Sequence, residues 1–172
     1  YKRVLNEYDS EIRTGNDTLD IIINEKAEAC RAEGISLTFM GDGARLSFVG
    51  QYDLYSLFGN ILDNAIEAVS KIDDRAKRII SVTMESQGNC VTVSSMNYFV
   101  GKLHMADGLP ATTKTANMES HGFGMRSIKL IAEKYGGRID IDVKGDIFEL
   151  SVLLIMPEGP NGAGKAGQGE RS

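Results

Sequence analysis

Apolar side chains recur at the three- and four-residue spacing of an α-helix in several parts of the chain. The clearest case is residues 53–72, where one broad apolar face is formed by Leu54, Leu57, Phe58, Ile61, Leu62, Ala65, Ala68, Val69 and Ile72. The same spacing predicts three further helices: a charged helix over residues 1–15, a helix that is capped by Asp17 or Thr18 and ends at Gly34, and a helix over residues 125–135. Glycines 136 and 137 end the last of these.

Alternation of apolar and polar residues predicts the strands. They cover residues 35–40, 78–85, 89–95, 138–143 and 148–155, and residues 45–49 are expected to form a short extended piece. Two pairs of strands are joined by short turns, around Gly88 and Gly145, and should therefore be antiparallel. Between them, residues 97–123 show little periodicity, and a loop of that length inside a compact domain is usually functional or disordered.

The order of elements predicts an α+β fold. The sheet should be mixed and mostly antiparallel, with three helices on one of its faces, which makes a two-layer α/β sandwich. A chain of 172 residues is long enough for one such domain and little more.

Charge is distributed unevenly along the chain. The formal net charge is -5, which argues against a general nucleic-acid-binding surface. Residues 102–138 nevertheless carry six basic and three acidic side chains, so this segment is +3 and the remainder is -8. We therefore expect a small polyanion as ligand. No apolar run approaches the roughly 18 residues of a membrane span, and the start at Tyr1 predicts an excised fragment, from which a membrane part could have been left out.

Polar residues share one side of the predicted helix over residues 53–72. Asn60, Asn64, Glu67 and Lys71 lie within an arc of about 60°, and Asp63 flanks them. Asn and Asp are poor residues for a helix interior because their side chains compete for backbone hydrogen bonds. A solvated polar face is one interpretation. The other is a cluster of amide and carboxylate oxygens that holds a hydrated Mg²⁺ ion.

The segment Asn60-Ile-Leu-Asp-Asn64-Ala-Ile-Glu67-Ala resembles the N-box of the GHKL (Bergerat-fold) ATP-binding superfamily. Its exact form is similar to that of sensor histidine kinases of the quorum-sensing peptide receptor type. The resemblance implies that Asn64 coordinates Mg²⁺. The position of Asn60 carries a glutamate general base in the hydrolytic branch of the superfamily, and an amide cannot deprotonate water. Asn60 therefore favours phosphoryl transfer to a partner over ATP hydrolysis.

Three further segments extend the resemblance over residues 14–156. Thr14-Gly15-Asn16, followed by Leu19-Asp20 and Lys26, resembles the opening of this subfamily's catalytic domain, and residues 97–101 resemble its first glycine box. Residues 107–114 and 121–128 resemble its ATP lid and second glycine box, in which Gly122 and Gly124 precede a helix. Backbone N–H groups at a helix start attract anions, in agreement with a phosphate site.

One departure from the family's pattern concerns the residue that recognises the adenine base. Most histidine kinases carry Asp-x-Gly-x-Gly, whose Asp accepts a hydrogen bond from the adenine amino group, and this motif is absent from the sequence. Asn97 is the nearest equivalent, with Ser95 and Met96 as alternatives. An amide can accept from the amino group and donate to a ring nitrogen.

The resemblance implies the catalytic, ATP-binding domain of a bacterial sensor histidine kinase in a two-component system. Residues 1–14 would end a dimerisation-domain helix, residues 15–157 would form the catalytic domain, and residues 158–172 would be a disordered tail. The predicted catalytic residues are Asn60 and Asn64, with Asn64 as metal ligand, and the predicted ATP-binding residues are Asn60, Asn64, Glu67, Asn97, Lys114, His121, Gly122, Phe123, Gly124 and Met125.

The implied cofactors and partners are ATP, Mg²⁺, the protein's own phosphoacceptor domain and a response regulator, within a membrane-anchored homodimer whose kinase domain is cytoplasmic. Neither His104, followed by Met, nor His121, followed by Gly, has the acidic neighbour expected of a phosphoacceptor. Two alternatives stay open: a nucleotide-binding regulatory module without catalysis, and a GHKL ATPase.

Overall fold

A computed structural model describes residues 11–106, 109–111 and 121–158 of the chain. The described residues form three α-helices, α1 (Asp17–Ala32), α2 (Gln51–Ser70) and α3 (His121–Lys134), and seven strands, β1 (Ser36–Met40), β2 (Ile79–Gln87), β3 (Cys90–Tyr98), β4 (His104–Ala106), β5 (Leu109–Ala111), β6 (Arg138–Lys144) and β7 (Ile147–Ile155).

Five of the described strands form one sheet in the order β1-β2-β3-β7-β6, and β4 and β5 pair separately. Strand β1 runs parallel to β2, since helix α2 crosses over between them, and the other pairs in the sheet are antiparallel. Alternate residues of the central strands, such as Val82, Val93 and Val152, are buried beneath the helices. The predicted α+β fold, with a mixed sheet and three helices on one face, is confirmed.

Helix α2 lies at the centre of the core. Its Leu57, Phe58, Ile61 and Val69 are almost fully buried, and they pack with α1, α3 and the inner face of the sheet. The broad apolar face seen in the sequence is therefore the one that packs. The helix begins two residues earlier than predicted and ends two residues earlier, although Ile72 beyond it is still buried.

Two local predictions near the start of the domain were wrong. Asn16, rather than Asp17 or Thr18, caps α1: its backbone is extended, and its Oδ1 accepts the N–H of Leu19 at 3.1 Å. Residues 45–49 were expected to be extended, but Gly43–Leu46 is a 3-10 turn that starts at Asp42. The carboxylate of Asp42 accepts the N–H of Ala44, which favours a turn over a strand.

The long loop predicted over residues 97–123 is partly structured. Strands β4 and β5 pair as a short antiparallel hairpin, and α3 starts at His121 instead of Met125. Strands of three residues are too short to show alternation, which is why the sequence did not reveal them. Residues 112–120 lie outside the described part of the chain, as do residues 1–10 of the predicted first helix and most of the predicted tail.

The helix predicted over residues 1–15 was wrong for its described part, since residues 11–15 have no regular secondary structure. Hydrogen bonds nevertheless attach this segment to the domain. The carboxamide of Asn24 accepts the N–H of Ile12 at 2.9 Å and donates to its carbonyl oxygen at 2.8 Å. The hydroxyl of Thr14 donates to Asp20 at 2.6 Å. Residues 12–14 thus pack against the domain. Within the described ranges, no helix combines the length and hydropathy that a membrane span requires.

Helices α2 and α3 are joined where α2 begins and α3 ends. Asp53 accepts hydrogen bonds from the Tyr135 hydroxyl at 2.6 Å and from Lys134 Nζ at 2.7 Å. The Tyr135 oxygen in turn accepts the N–H of Gly50 at 2.9 Å, at a helix start that has no side-chain cap of its own. We call Gly50, Asp53, Lys134 and Tyr135 the Tyr135 clamp.

The hydrogen bonds of the clamp shift the pKa values of its side chains. The hydrogen bonds from Lys134 and then from Tyr135 lower the pKa of Asp53. The hydrogen bond to Asp53 raises the pKa of Lys134, while burial and then Asp53 raise the pKa of Tyr135. At neutral pH the clamp therefore consists of a carboxylate, an ammonium group and a neutral phenol.

Two glycine substitutions should have opposite effects on stability. Gly59 lies inside α2 with open space around it, so Gly59→Ala should raise the free energy of unfolding by about 0.5–1 kcal/mol through helix propensity. A Cβ at Gly137 would overlap the carbonyl oxygen of Leu153, so Gly137→Ala should lower the free energy of unfolding by about 1–3 kcal/mol. Urea unfolding followed by circular dichroism measures both, and a change of the same sign in both variants would contradict the packing described.

The contribution of Asp53 to stability should depend on pH. Its pKa is lowered on folding, so ionised Asp53 stabilises the fold above the unfolded value of about 3.9, and this contribution is lost as the pH falls through the folded-state pKa. The difference in unfolding free energy between wild type and Asp53→Asn should therefore be largest above about pH 5 and should shrink below about pH 4. Urea titrations across this range would measure it. A constant difference at all pH values would mean that the charge of Asp53 does not matter.

Candidate functional site

The polar residues of α2 face a helix rather than open solvent. Asp53, Asn60, Asn64 and Glu67 are spaced so that they lie within about 60° of one another around the helix, and we call them the polar stripe. Helix α3 runs antiparallel along this stripe. Its end contacts Asp53 through Lys134 and Tyr135, and its first turns contact Asn60 and Asn64 through Gly124.

The contact at Gly124 is close. A Cβ placed on this glycine would lie 3.1 Å from Asn60 Oδ1 and 3.5 Å from Asn64 Oδ1. Gly124 is the fourth residue of α3 and directly follows the first-turn residues, whose backbone N–H groups have no partner within the helix and carry positive partial charge. Two amide oxygens of the polar stripe are thus held beside the start of a helix, where an anion is also favoured.

The two asparagines differ in their hydrogen bonds. The Asn60 amide nitrogen donates to the Ser56 carbonyl at 2.6 Å and lies 3.3 Å from the Ser56 hydroxyl, so its nitrogen is held by the preceding turn. The Asn64 amide nitrogen is buried and has no hydrogen-bond partner in the part of the chain that is described. A buried donor without a partner costs about 1–3 kcal/mol, which a ligand that accepts from Asn64 Nδ2 would recover.

The acidic side chains next to these asparagines, Asp63 and Glu67, form ion pairs with lysines. Asp63 pairs with Lys26 of α1 at 2.7 Å. Burial lowers the pKa of Lys26, but the hydrogen bond and charge of Asp63 outweigh it, and the pKa of Lys26 is raised overall. Glu67 forms an ion pair with Lys71 at 3.0 Å, one turn further along α2. Asp63 therefore joins α1 to α2 instead of joining the stripe.

Asn97 is buried on the inner face of β3, near the end of the strand. Its amide nitrogen donates to the carbonyl oxygen of Tyr98 at 2.9 Å, so this hydrogen bond orients the side-chain amide. Ser95 is buried on the same face, and its hydroxyl has no partner among the described residues. Met96 points to the opposite face and is exposed. Of the three alternatives for a base-binding residue, Asn97 and Ser95 face inward.

The remaining predicted site residues lie on or before the start of α3. Residues His121 and Gly122 form its first turn. Phe123 is exposed, whereas the side chain of Met125 packs in the core, so only its backbone is available to a ligand. Lys114 lies outside the described residues. Exposed Arg126 is on the first turns of α3, and Lys129 lies 3.9 Å from Glu133.

Three groups that support the site were not predicted from the sequence. They are Ser56, which orients Asn60; the hydroxyl of Tyr135; and Asp53, which begins the polar stripe. A signal for Asp53 was present, because it lies seven residues before Asn60 and therefore on the same side of the helix. No such signal points to Tyr135, since its partner is distant in sequence.

The oxygen ligands present suit one kind of metal ion. Among the described residues, no group of three His, Cys, Asp or Glu side chains could hold a metal by itself. Amide oxygens from the stripe, together with water and a ligand's phosphates, match the coordination that Mg²⁺ prefers. The unpartnered atom of Asn64 is its amide nitrogen, which would donate to an acceptor such as a phosphate oxygen, whereas its Oδ1 would face the cation.

Comparison with known proteins identifies the family. A family model described as a GHKL domain matches residues 50–155, which extend from the start of α2 to the end of β7 and cover more than half of the chain. The sequence has no match among curated proteins.

Solved structures share the fold at low sequence identity. The catalytic domain of histidine kinase ThkA, in a nucleotide-free crystal form, is 19% identical with a TM-score of 0.60, and the match covers 83% of this chain and 94% of that chain. Another nucleotide-free form of the same domain has a TM-score of 0.62 at 18% identity, covering 84% and 96%. Histidine kinase AdeS of Acinetobacter baumannii has a TM-score of 0.51 at 11% identity, covering 83% of this chain and 64% of that chain. The chain belongs to the GHKL domain family and has the fold of histidine kinase catalytic domains.

Proposed function

We propose that this chain is the ATP-binding catalytic domain of a bacterial sensor histidine kinase of the quorum-sensing peptide receptor type. It transfers the γ-phosphoryl group of ATP to a histidine on a separate dimerisation domain, which passes it to a response regulator. The observation that carries the proposal is the unpartnered Asn64 amide beside the start of α3 at Gly124, within a GHKL domain. The full protein is a membrane-anchored homodimer with this domain in the cytoplasm.

Asn60 supports transfer over hydrolysis. It occupies the position that carries a glutamate base in hydrolytic relatives, its amide has no basic lone pair, and its nitrogen is engaged by Ser56. Water is therefore not activated at this position. Phosphoryl transfer needs mainly positioning and charge neutralisation, both of which this site supplies.

Asn64, with help from the Asn60 oxygen and Glu67, would hold Mg²⁺. A Mg²⁺ ion held there would supply positive charge that offsets the negative charge of the phosphates. The backbone at Gly122 and Gly124 offers N–H groups to the phosphates, and Lys114, His121, Phe123 and Met125 belong to the lid and helix start that cover them. Of the basic residues in the segment 102–138, Arg126 is on the first turns of α3, whereas Lys134 and Arg138 lie at the far end of the helix and pair with Asp53 and Asp140.

Asn97 selects the base. Its nitrogen is used by the Tyr98 carbonyl, which leaves Oδ1 as an acceptor, as in a carboxylate. Adenine presents an amino donor at the position where guanine presents a carbonyl acceptor. An acceptor held in this orientation therefore favours adenine, and the buried Ser95 hydroxyl is a second polar group on the same face.

The absence of Asp-x-Gly-x-Gly favours a second candidate, a nucleotide-binding regulatory module that acts through protein contacts without catalysis. The two candidates differ in one measurement. Only the kinase transfers label from γ-labelled ATP to a phosphoacceptor domain supplied in trans.

Substitution of Asn64 tests the metal and nucleotide site. At about 100-fold excess over Kd, Mg·ATP should stabilise the wild-type domain by about 2.7 kcal/mol, a rise of about 5–10 °C in Tm. Asn64→Ala should weaken Mg·ATP binding at least about tenfold in isothermal titration calorimetry. The control is Asp63→Asn, one position away, which removes the ion pair to Lys26 and should leave affinity within about twofold.

Two outcomes would contradict this proposal. A folded wild-type domain with no Tm shift at millimolar Mg·ATP would exclude nucleotide binding. Equal affinities for wild type and Asn64→Ala would remove the metal role of Asn64. Rapid ATP hydrolysis by the domain alone would instead support a GHKL ATPase.

Substitution of Asn97 tests base selection. The wild-type domain should bind Mg·ATP at least about tenfold more tightly than Mg·GTP, because guanine would place an acceptor against an acceptor. Asn97→Ala should abolish most of that preference. Ser94→Ala is the matched control, since Ser94 lies on the same strand but bonds to Ser151 on the opposite face of the sheet. A preference that survives in Asn97→Ala would show that another residue reads the base.

A further inference from the structure

We infer that the Tyr135 clamp is a positioning device for the nucleotide site: it sets the place of α3 along the polar stripe and so holds Gly124 against Asn60 and Asn64. The inference rests on the proposed function, because the consequence to be measured is nucleotide affinity. It assigns a role to residues at the opposite end of α3 from the proposed phosphate site.

The first line of support is geometric. Gly124 and Tyr135 are eleven residues apart, about 16 Å along α3. Asp53 and Asn64 are also eleven residues apart on α2. The two antiparallel helices therefore meet at two points that are equally spaced on both. One is the hydrogen bond between Tyr135 and Asp53, and the other is the close approach of Gly124 to Asn64. Helix α3 is therefore hydrogen-bonded to α2 at one end and lies close to the two asparagines at the other.

The second line of support is that several structural elements are bonded to or packed against Tyr135. Its hydroxyl bonds to Asp53 and to the N–H of Gly50 at the start of α2. Its carbonyl oxygen accepts the N–H of Ile155 at the end of β7, 2.9 Å away. Its ring packs edge-on against Phe48, with ring centroids 5.9 Å apart. The residue thus ties α3 to both α2 and the sheet.

The hydroxyl can be separated from the rest of the packing. In Tyr135→Phe the ring keeps its contact with Phe48, and the apolar side of α3, with Ile128 and Ala132, stays buried in the core. What is lost is the two hydrogen bonds of the hydroxyl, to Asp53 and from Gly50, whereas the bond between Lys134 and Asp53 remains. At Gly124 only 3.1 Å separates the Cβ position from Asn60 Oδ1, so even a small shift changes the site. Misplacement by about 1 Å can cost as much as about 100-fold at a reacting centre.

The test compares Tyr135→Phe with Tyr55→Phe. Tyr55 also donates a hydrogen bond to a carboxylate, that of Glu25 at 2.9 Å, but it joins α2 to α1 instead of α3. Affinity for Mg·ATP is measured by calorimetry at a temperature where each variant is fully folded, and unfolding free energies are measured in urea. Tyr135→Phe should weaken binding at least about fivefold, whereas Tyr55→Phe should stay within about twofold at a similar loss of stability.

A second measurement needs no nucleotide. Amide hydrogen exchange at residues 123–126 should be faster in Tyr135→Phe than in wild type and unchanged in Tyr55→Phe, because only the first frees the start of α3. If Tyr135→Phe does not fold, Asp53→Asn replaces it, since it keeps the size of the side chain and removes the charge that holds Lys134 and Tyr135.

The outcomes separate this inference from the proposed function. Wild type that fails to bind Mg·ATP overturns the proposed function. Wild type that binds, together with equal affinity and equal exchange in the Tyr135→Phe and Tyr55→Phe variants, overturns the clamp alone. Weaker binding and faster exchange confined to the clamp variant support it.

Discussion

The packing of α3 along the polar stripe of α2 is the constraint on which the site depends. A helix that packs on its neighbour usually does so through apolar side chains, yet here Asn60, Asn64 and Asp53 lie on the side of α2 that α3 covers. Gly124 makes this possible, because any side chain there would press on the asparagine oxygens. The start of α3 is thereby brought close to two amides, one of which, Asn64, has an amide nitrogen without a partner among the described residues.

The hydrogen bonds around the stripe divide its members by role. Ser56 holds the nitrogen of Asn60, Lys71 pairs with Glu67, and Asp53 belongs to the Tyr135 clamp. Asn64 is the member whose amide nitrogen has no partner among the described residues. A domain of this kind needs little chemistry of its own if its task is to orient ATP and neutralise charge. Its supporting hydrogen bonds then matter as much as the groups that touch the nucleotide.

Sequence periodicity was sufficient for the larger elements. The apolar face of residues 53–72, the alternation of the central strands and the glycine stop at residues 136–137 identified α2, most of the sheet and the end of α3, since these signals repeat over many residues. The 3-10 turn at Gly43–Leu46 and the β4–β5 hairpin were missed, because three or four residues give too little periodicity. The order of the N-box and glycine boxes also pointed to the GHKL family that the comparison then identified.

Local spacing along the chain was enough to show which side of α2 is polar and which face of each central strand is buried, because both properties repeat every few residues. It could not show that α3 covers the polar stripe, that Gly124 lies close to Asn60 and Asn64, or that Tyr135 joins the start of α2. Those contacts link residues more than 50 positions apart. Their geometry follows from how two helices pack on one sheet, which no short-range pattern specifies.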